Sequence, residues 1–269
     1  KMKIIAEIGW NHMGDMNLAK KMINSAVENG ADICKFQTWS EKKLGRGSWD
    51  KDERREIYKK AELSKEQHIE LNDHCKKMNV NFLSSVFDED GIKILHGISN
   101  KMAKIASQEL YNLKLINSCL EKFEKVIIST GASKWEEILN LLKLKNKEKL
   151  IVMHCVSSYP CKPDNVNMPK MKKLQETFPV VGYSGHFAGI DDAILALCNG
   201  AEYIEKHFTI DRSLPGRDNK FALLPENLKQ LTQFRDNLKN MKINKGLDLQ
   251  ECEVDVFENY RGRWTSNER

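Results

Sequence analysis

Residues Lys101–Glu109 read K-M-A-K-I-A-S-Q-E, a short strand-like stretch that ends in polar residues. The same arrangement recurs along the chain. Apolar residues run or alternate through the first six positions of this stretch, as they do in a buried strand. The predicted strand delivers Lys104, Ser107 and Glu109 close together. An ammonium and a hydroxyl suit a phosphate or carboxylate oxygen, and a carboxylate beside them suits proton transfer. The stretch therefore predicts a site for an anionic substrate, with a solvated strand end as the alternative.

Working outward, eight units of a strand followed by a helix lie between Lys3 and Met241, with no second kind of module. Each strand is a short apolar run, and each helix has apolar residues at helical spacing. The predicted strands are Lys3–Ile8, Ile33–Gln37, Asn81–Val86, Met102–Ala106, Lys125–Ser129, Leu150–His154, Val180–Tyr183 and Glu202–His207. Eight such units predict an α/β fold of the (β/α)8 TIM barrel type over residues 1–241. An open doubly wound sheet is the alternative, but no glycine-rich dinucleotide motif follows the first strand.

Two segments depart from this repeat. Residues 40–62 are polar and highly charged, and a loop of this length predicts a functional lid or a mobile segment. Beyond residue 241 the periodicity fades. We therefore predict that residues 242–269 form a C-terminal extension and not a separate domain.

Composition narrows the class of protein. With 41% hydrophobic and 30% charged residues, the 269-residue chain is predicted to be globular. A net charge of +5 is too small for a chain of this length to indicate a nucleic-acid partner. Seven scattered cysteines without a C-x-x-C pair favour reduced thiols in the cytoplasm over a disulfide framework or a zinc site. The chain opens in strand-like sequence, so no signal peptide is expected, and no apolar run approaches the roughly 20 residues of a membrane span.

In a (β/α)8 barrel, the side chains at the C-terminal ends of the strands meet at one face. Here the predicted strand ends carry an unusual share of polar and ionisable residues: Glu7, Lys35, Gln37, Ser84, Ser85, Lys104, Ser107, Glu109, Thr130, His154, Ser184, His186, Glu205 and His207. Buried charge is costly unless it is paired or used. The convergence of so many such residues predicts an enzyme.

Two pairs among these residues indicate specific chemistry. Lys35 and Lys104 could together neutralise a phosphate and a carboxylate, and a Schiff-base lysine is the alternative. His186 and His207 end consecutive strands, with Asp218 in the following loop. Two imidazoles in this position are about equally consistent with a divalent-metal site and with simple hydrogen bonding.

Seven segments of the chain form an ordered set of motifs. They are I-I-A-E-I-G-x-N-H-x-G-D (Ile4–Asp15), G-A-D-x-x-K-F-Q-T (Gly30–Thr38), K-I-A-S-x-E-L (Lys104–Leu110), S-T-G (Ser129–Gly131), M-H-C-x-S-x-Y-P (Met153–Pro160), G-Y-S-x-H (Gly182–His186) and E-K-H-F-T (Glu205–Thr209). In register from Lys3 to about Met241, this set resembles the sialic acid synthase family. The resemblance covers the barrel only, without the C-terminal antifreeze-like domain that family members usually carry. It departs from the family at Ser85-Val86-Phe87, usually Thr-Pro-Phe, and at Gly185, usually Asp.

The resemblance implies a reaction in which phosphoenolpyruvate condenses with an open-chain acetamido sugar, N-acetylmannosamine or a relative. The product is a nonulosonic acid, and inorganic phosphate is released. It also implies a divalent metal, Mn²⁺ or Mg²⁺, and a homodimer. A lysine Schiff-base aldolase and a non-catalytic metabolite-binding barrel are the alternative functions.

Carried over by position, the resemblance implies a role for thirteen residues. Glu7 and Glu109 resemble the catalytic carboxylates, and His186 and His207 resemble the metal ligands. The implied substrate contacts are Lys35, Gln37, Ser85, Lys104, Ser107, Ser157, Tyr159, Ser184 and Asp218.

Overall fold

A computed structural model describes residues 2–264 and contains eight parallel strands that close into a barrel in sequence order. Each strand pairs with its neighbours in the chain, and β1 closes the barrel against β8. The strands are β1 Lys3–Glu7, β2 Ile33–Thr38, β3 Asn81–Val86, β4 Met102–Ile105, β5 Lys125–Ser129, β6 Leu150–Cys155, β7 Val181–Gly185 and β8 Tyr203–His207. The predicted (β/α)8 barrel is confirmed.

Helices follow the strands. They are α1 Met16–Glu28, α2 Arg54–Ala61, α3 Lys65–Lys77, α4 Glu89–His96, α5 Leu113–Lys122, α6 Trp135–Leu139, α7 Met168–Gln175, α8 Asp191–Cys198, α9 Pro225–Met241 and α10 Val254–Asn259. Helices α1 and α3 begin where the sequence supplies a capping side chain. The Asp15 carboxylate accepts from the N–H groups of Asn17 and Leu18, which have no partner inside α1. At α3 the Ser64 and Gln67 side chains form a reciprocal capping box.

The structure differs from the sequence prediction in the polar stretch of residues 40–62. This stretch contains a helix, α2, preceded by two short 3-10 turns. The helix forms because Tyr58 packs against two indoles, with ring centroids 5.0 Å from Trp10 and 5.4 Å from Trp39. Trp39 also donates from its indole N–H to the Tyr58 carbonyl oxygen at 3.0 Å. Tertiary contacts thus order a segment that lacks an apolar periodicity of its own.

Inside the barrel, side chains form two layers because alternate residues of a strand share a face. The lower layer is apolar and belongs to the cluster formed by Ile5, Ile33, Leu83, Ile127, Ile151 and Met153. Two residues further along the same strands, the inward positions are Glu7, Lys35, Ser85, Ser129 and Cys155. The apolar layer therefore forms a floor beneath a polar upper layer.

The chain divides into two compact units after Arg235. The second unit contains the end of α9, a 3-10 turn at Glu251–Glu253 and α10. Within it, the Arg261 guanidinium lies 4.3 Å from the Phe257 ring centroid. The predicted extension reaches residue 269, but residues 265–269, like residue 1, lie outside the described residues. Among the helices of residues 2–264, none has the length and apolar character needed to cross a membrane.

Candidate active site

A cavity of about 400 Å³ opens at the C-terminal ends of the strands, above the apolar floor. All eight strands contribute to its wall. The strand residues that line it are Glu7, Lys35, Gln37, Ser85, Lys104, Ser129, Cys155, Ser184, Glu205 and His207. The loops that follow the strands supply the outer wall, which includes Arg54, Tyr58, Ser107, Tyr159, Arg217 and Asp218.

Two buried lysines and two buried glutamates form the base of this cavity. Lys35 Nζ lies 2.7 Å from Glu7 Oε2 and 3.5 Å from Glu205 Oε1. Lys104 Nζ lies 3.9 Å from the same Glu205 oxygen. Each lysine also donates to a serine hydroxyl, Lys35 to Ser85 at 3.0 Å and Lys104 to Ser129 at 2.8 Å. The ammonium groups are therefore held in place and directed into the cavity.

The two glutamates differ in protonation because their neighbours differ. Burial raises the pKa of Glu7 to about 7; the nearby Glu205 carboxylate adds to this shift, and Lys35 opposes it. Burial also disfavours ionised Glu205, but the attraction of Lys104 and Lys35 is larger and lowers its pKa. One carboxyl group can thus exchange a proton near neutral pH while the other stays ionised, as in sites that use two carboxylates for two tasks.

A cradle for an anion lies beside Lys104, where three loops meet. The backbone N–H of Gly131 donates to Ser107 Oγ at 3.0 Å. A Cβ at this glycine would lie 2.3 Å from Ser157 Oγ and 2.8 Å from Ser107 Oγ. Only glycine therefore permits the two hydroxyls to approach the backbone so closely. The Gly131 N–H thus fixes the Ser107 hydroxyl, and two hydroxyls next to an ammonium form a suitable binding site for a phosphate or carboxylate.

At the ends of β7 and β8, the rings of His186 and His207 lie 5.4 Å apart, centroid to centroid. His186 Nδ1 lies 2.9 Å from the Val156 carbonyl oxygen, so Nδ1 carries a proton, and in the neutral ring Nε2 keeps a lone pair. His207 Nδ1 is buried, has no hydrogen-bond partner within residues 2–264, and lies 3.5 Å from Asp218 Oδ2. Burial lowers the pKa of His207, which favours the neutral form that binds metals.

These two imidazoles fit a divalent cation. Histidines whose other nitrogen is held by a carbonyl or faces a carboxylate are typical metal ligands. Within the described part of the chain, no group of three or more His, Cys, Asp or Glu residues is arranged to hold a metal ion. A cation here would thus be bound by two protein ligands, and water or substrate oxygens would complete its coordination.

Every predicted site residue except Glu109 lines the cavity. Glu109 ends a 3-10 turn that begins at Ser107, and Gln108 lines the cavity in its place. Because successive residues of a 3-10 helix are rotated by about 120°, Ser107 and Glu109 point in different directions. Glu109 is therefore not among the residues that line the cavity with Lys104 and Ser107, and its catalytic role stays a prediction.

Three other strand-end residues from the sequence prediction also lie outside the cavity, since each is bonded elsewhere. Ser84 Oγ lies 2.6 Å from Thr38 Oγ1, on the outer face of the barrel. Thr130 Oγ1 donates to the Met153 carbonyl oxygen at 3.0 Å. His154 Nε2 lies 2.7 Å from the Val166 carbonyl oxygen. These contacts indicate structural roles.

Comparison with known proteins agrees with this geometry. The sequence model that describes the NeuB family matches residues 22–246. The chain belongs to the NeuB family. It is 38% identical to an N,N'-diacetyllegionaminic acid synthase of Campylobacter jejuni, over 90% of this chain and 78% of that protein. It is 35% identical to an N-acetylneuraminate-9-phosphate synthase of Drosophila melanogaster, over 88% of this chain and 68% of that protein.

A solved structure supports the same assignment. The N-acetylneuraminic acid synthetase of Leptospira borgpetersenii, solved in complex with citrate, aligns with a TM-score of 0.87 and 33% identity. The alignment covers 97% of this chain and 92% of that one. The resemblance to the sialic acid synthase family seen in the sequence motifs is therefore confirmed.

Several cavity residues of this NeuB family member were not predicted as site residues. Glu205 was recognised only as a polar strand end, although its position two residues before His207 places both on the same face of β8. That period-2 spacing was the signal available for it. Arg54 and Tyr58 lie on α2, which has no apolar periodicity, and Arg217 lies in the loop after β8, so no local pattern indicates that these side chains turn inward.

Proposed function

We propose that this chain condenses phosphoenolpyruvate with an open-chain acetamido sugar to give a nonulosonic acid and inorganic phosphate. N-acetylmannosamine or a related N-acylated amino-hexose is the expected acceptor. The observation that carries the proposal is the meeting of Lys35 and Lys104 with the histidine pair in one cavity. The names of the relatives, synthases of legionaminic and neuraminic acids, support the same reaction.

The base of the cavity would hold phosphoenolpyruvate. Its phosphate and carboxylate match the two ammonium groups, and the hydroxyls of Ser107 and Ser157, packed against Gly131, supply neutral donors. Ser85 would contribute through Lys35, whose ammonium it holds. Because these groups are already in place before substrate arrives, little ordering is required on binding.

The part of the cavity lined by the two histidines would hold the acceptor sugar and the metal. His186 and His207 would bind a divalent cation, Mn²⁺ or Mg²⁺, which when bound would polarise the sugar aldehyde as a Lewis acid. Gln37 and Tyr159 face the same space and can hydrogen-bond to hydroxyl or amide groups of the sugar. Asp218 lies between His207 and the mouth, and burial raises its pKa to about 6.

The bond changes can be matched to these side chains. C3 of phosphoenolpyruvate forms a bond to the aldehyde carbon, and the aldehyde oxygen takes a proton, for which Asp218 is the nearest carboxyl group on the histidine side. Positive charge that develops at C2 is stabilised by ionised Glu205. Water adds at C2 and gives one proton to Glu7; the C2–O bond to phosphate then breaks as the new C2 hydroxyl passes its proton to the departing phosphate, leaving a ketone.

A phosphate-release assay tests the proposal. Phosphoenolpyruvate, Mn²⁺ and a panel of acetamido sugars should give phosphate and a nonulosonic acid, and removal of the metal with EDTA should abolish release until Mn²⁺ is restored. Borohydride is the control for Schiff-base chemistry, because burial lowers the pKa of Lys104 toward that of a nucleophilic amine. Absence of release with every sugar by the folded protein, or a borohydride-trapped adduct, would contradict the proposal.

We also propose that the protein is a homodimer, as the family resemblance implies, and that it is cytoplasmic, as its free cysteines favour. Sedimentation equilibrium of the purified chain would test the dimer, with a mass near twice the 31.0 kDa of one chain as the expected result. A monomer at micromolar concentration would contradict this part of the proposal. Cell fractionation would test the location.

A further inference from the structure

Two arginines at the mouth of the cavity share one carboxylate. Arg54, the first residue of α2, donates from Nε to both oxygens of Asp52, at 2.9 and 2.8 Å. Arg217, in the loop after β8, has Nη1 3.6 Å from Asp52 Oδ2. Both arginines line the cavity. These two arginines and the Asp52 that they share, which we call the mouth pair, therefore link the loop after β2 to the loop after β8.

The charged side chains in the cavity interior and those at its mouth form two separate groups, and each group contains its own positive and negative partners. In the interior, Lys35 and Lys104 face Glu7 and Glu205. At the mouth, the two arginines face Asp52, and the carboxylate of Asp218 lies in the field of Arg217. Phosphoenolpyruvate would use the interior lysines for its own phosphate and carboxylate. No excess of positive charge then remains at the mouth for a second phosphate group.

From this distribution we infer that the acceptor sugar is uncharged at the end that reaches the mouth, and that Asp52 selects against acceptors with a terminal phosphate. The inference rests on the proposed condensation with an acetamido sugar. Asp52 holds the Arg54 guanidinium and, together with Asp218, balances the charge of the two arginines, so its negative charge disfavours a dianion at the mouth. The Arg217 side chain makes no hydrogen bond within residues 2–264, so its N–H groups remain available to neutral sugar hydroxyls.

The distinction separates relatives that are almost equally similar to this chain. The Campylobacter relative, at 38% identity, is named for an unphosphorylated product, whereas the Drosophila relative, at 35%, is named for a 9-phosphate. Overall identity therefore does not decide between the two classes of acceptor. The mouth pair offers a local physical basis for the decision.

The test compares each acetamido hexose with its 6-phosphate, beginning with N-acetylmannosamine and N-acetylmannosamine 6-phosphate. The readout is the ratio of kcat/KM for the two acceptors, with saturating phosphoenolpyruvate and Mn²⁺. The wild-type protein should prefer the unphosphorylated sugar. Asp52→Asn keeps the shape of the side chain but removes its charge, so the ratio should shift toward the phosphorylated sugar by about tenfold or more.

Asp50→Asn is the matched control. Asp50 lies on the same loop and pairs with Arg55, which does not line the cavity. The substitution changes the net charge by the same amount and leaves the mouth pair intact, so its acceptor ratio should equal that of the wild type. Both aspartates are exposed enough that either variant is expected to fold, which a thermal melt would verify.

The outcomes separate this inference from the proposed function. A wild-type preference for the phosphorylated sugar would overturn the inference alone, and so would an unchanged ratio in Asp52→Asn or an equal shift in Asp50→Asn. Absence of turnover with every member of the panel would overturn the condensation itself, and with it the inference. Preference for the neutral sugar, with a shift confined to Asp52→Asn, would establish Asp52 as a specificity residue.

Discussion

At the scale of single residues, the chemistry of the site depends on how burial acts on two identical carboxyl groups. Glu7 receives a hydrogen bond from Gln37 Nε2 at 2.6 Å and faces one lysine, whereas Glu205 lies between two. The second lysine makes the difference, because it compensates for the desolvation of Glu205 but not for that of Glu7. Glu7 is therefore the residue that can take up a proton during turnover.

Replacing Glu7 tests this assignment. We expect Glu7→Gln to lower kcat by at least about 100-fold, because an amide cannot accept the proton of the attacking water. In the wild type, kcat should fall as the pH decreases below about 7, since burial raises the pKa of Glu7 to about 7 and the base is then protonated. Steady-state kinetics from pH 5.5 to 8.5 would measure both effects. Near-normal turnover of Glu7→Gln would contradict the assignment.

Two adjacent serines provide a matched pair on the inner and outer faces of β3. Ser85 Oγ accepts from Lys35, and Ser84 Oγ contacts Thr38 on the outer face. Ser85→Ala should raise the KM for phosphoenolpyruvate roughly tenfold, the usual effect of losing a hydrogen bond to a charged group. Ser84→Ala should leave this KM unchanged and lower the free energy of unfolding by about 1 kcal/mol. Equal KM values for the two variants would show that Ser85 does not support substrate binding.

At the scale of elements, β8 lines the cavity with one face, and Lys206 on its other face binds the loop that follows β7. Lys206 points outward, where its Nζ lies 2.9 Å from both Asp192 oxygens and donates to the Phe187 carbonyl oxygen at 2.8 Å. Its register partner is Gly185, where a Cβ would lie 2.2 Å from Asp192 Oδ2. The Asp192 carboxylate thus occupies the space that the aspartate usual at position 185 would need, which accounts for glycine there.

The Lys206 contacts predict a coupled loss of stability and metal affinity. Lys206→Met leaves the Asp192 carboxylate buried without its cation, which should cost about 3–5 kcal/mol of unfolding free energy. It also releases the loop that follows His186, so Mn²⁺ affinity should fall about tenfold or more. Urea denaturation and Mn²⁺ titration by electron paramagnetic resonance would measure the two effects.

A second buried ion pair provides the control for this variant. Arg235 pairs with Asp32 at 2.6 Å, next to the N-terminal end of β2 and far from the cavity. Arg235→Met should therefore destabilise the protein without changing its Mn²⁺ affinity. If both variants lost Mn²⁺ affinity to the same extent, Lys206 would have no specific influence on the histidine site.

At the scale of the whole molecule, the barrel interior combines an apolar floor with a polar cavity on the same eight strands. The floor residue Ile127 is fully buried and lies directly beneath Ser129. Ile127→Ala should lower the free energy of unfolding by about 2–5 kcal/mol through the cavity that it leaves. Ile69→Ala, on the exposed side of α3, should change it by less than about 1 kcal/mol. Comparable losses in chemical denaturation would contradict the role of the floor.

Much of the fold and of the candidate site could be predicted from the pattern of residues alone. Apolar runs separated by capped helices predicted the eight strands and the closed barrel, because local periodicity and capping are properties of neighbouring residues. The sequence motifs also indicated the family, and most of the residues that line the cavity. Strand residues such as Lys35 and His207 were predictable because a strand alternates its side chains between two faces.

Only the tertiary structure revealed how distant segments meet. It placed Gln108 and not Glu109 along the cavity wall, and it placed Glu205 between two lysines from other strands. It also brought Asp52 and Arg217 together from loops far apart in the sequence. Protonation and charge balance depend on distances of a few ångströms across the barrel, and these distances are determined by packing, which no local pattern of residues encodes.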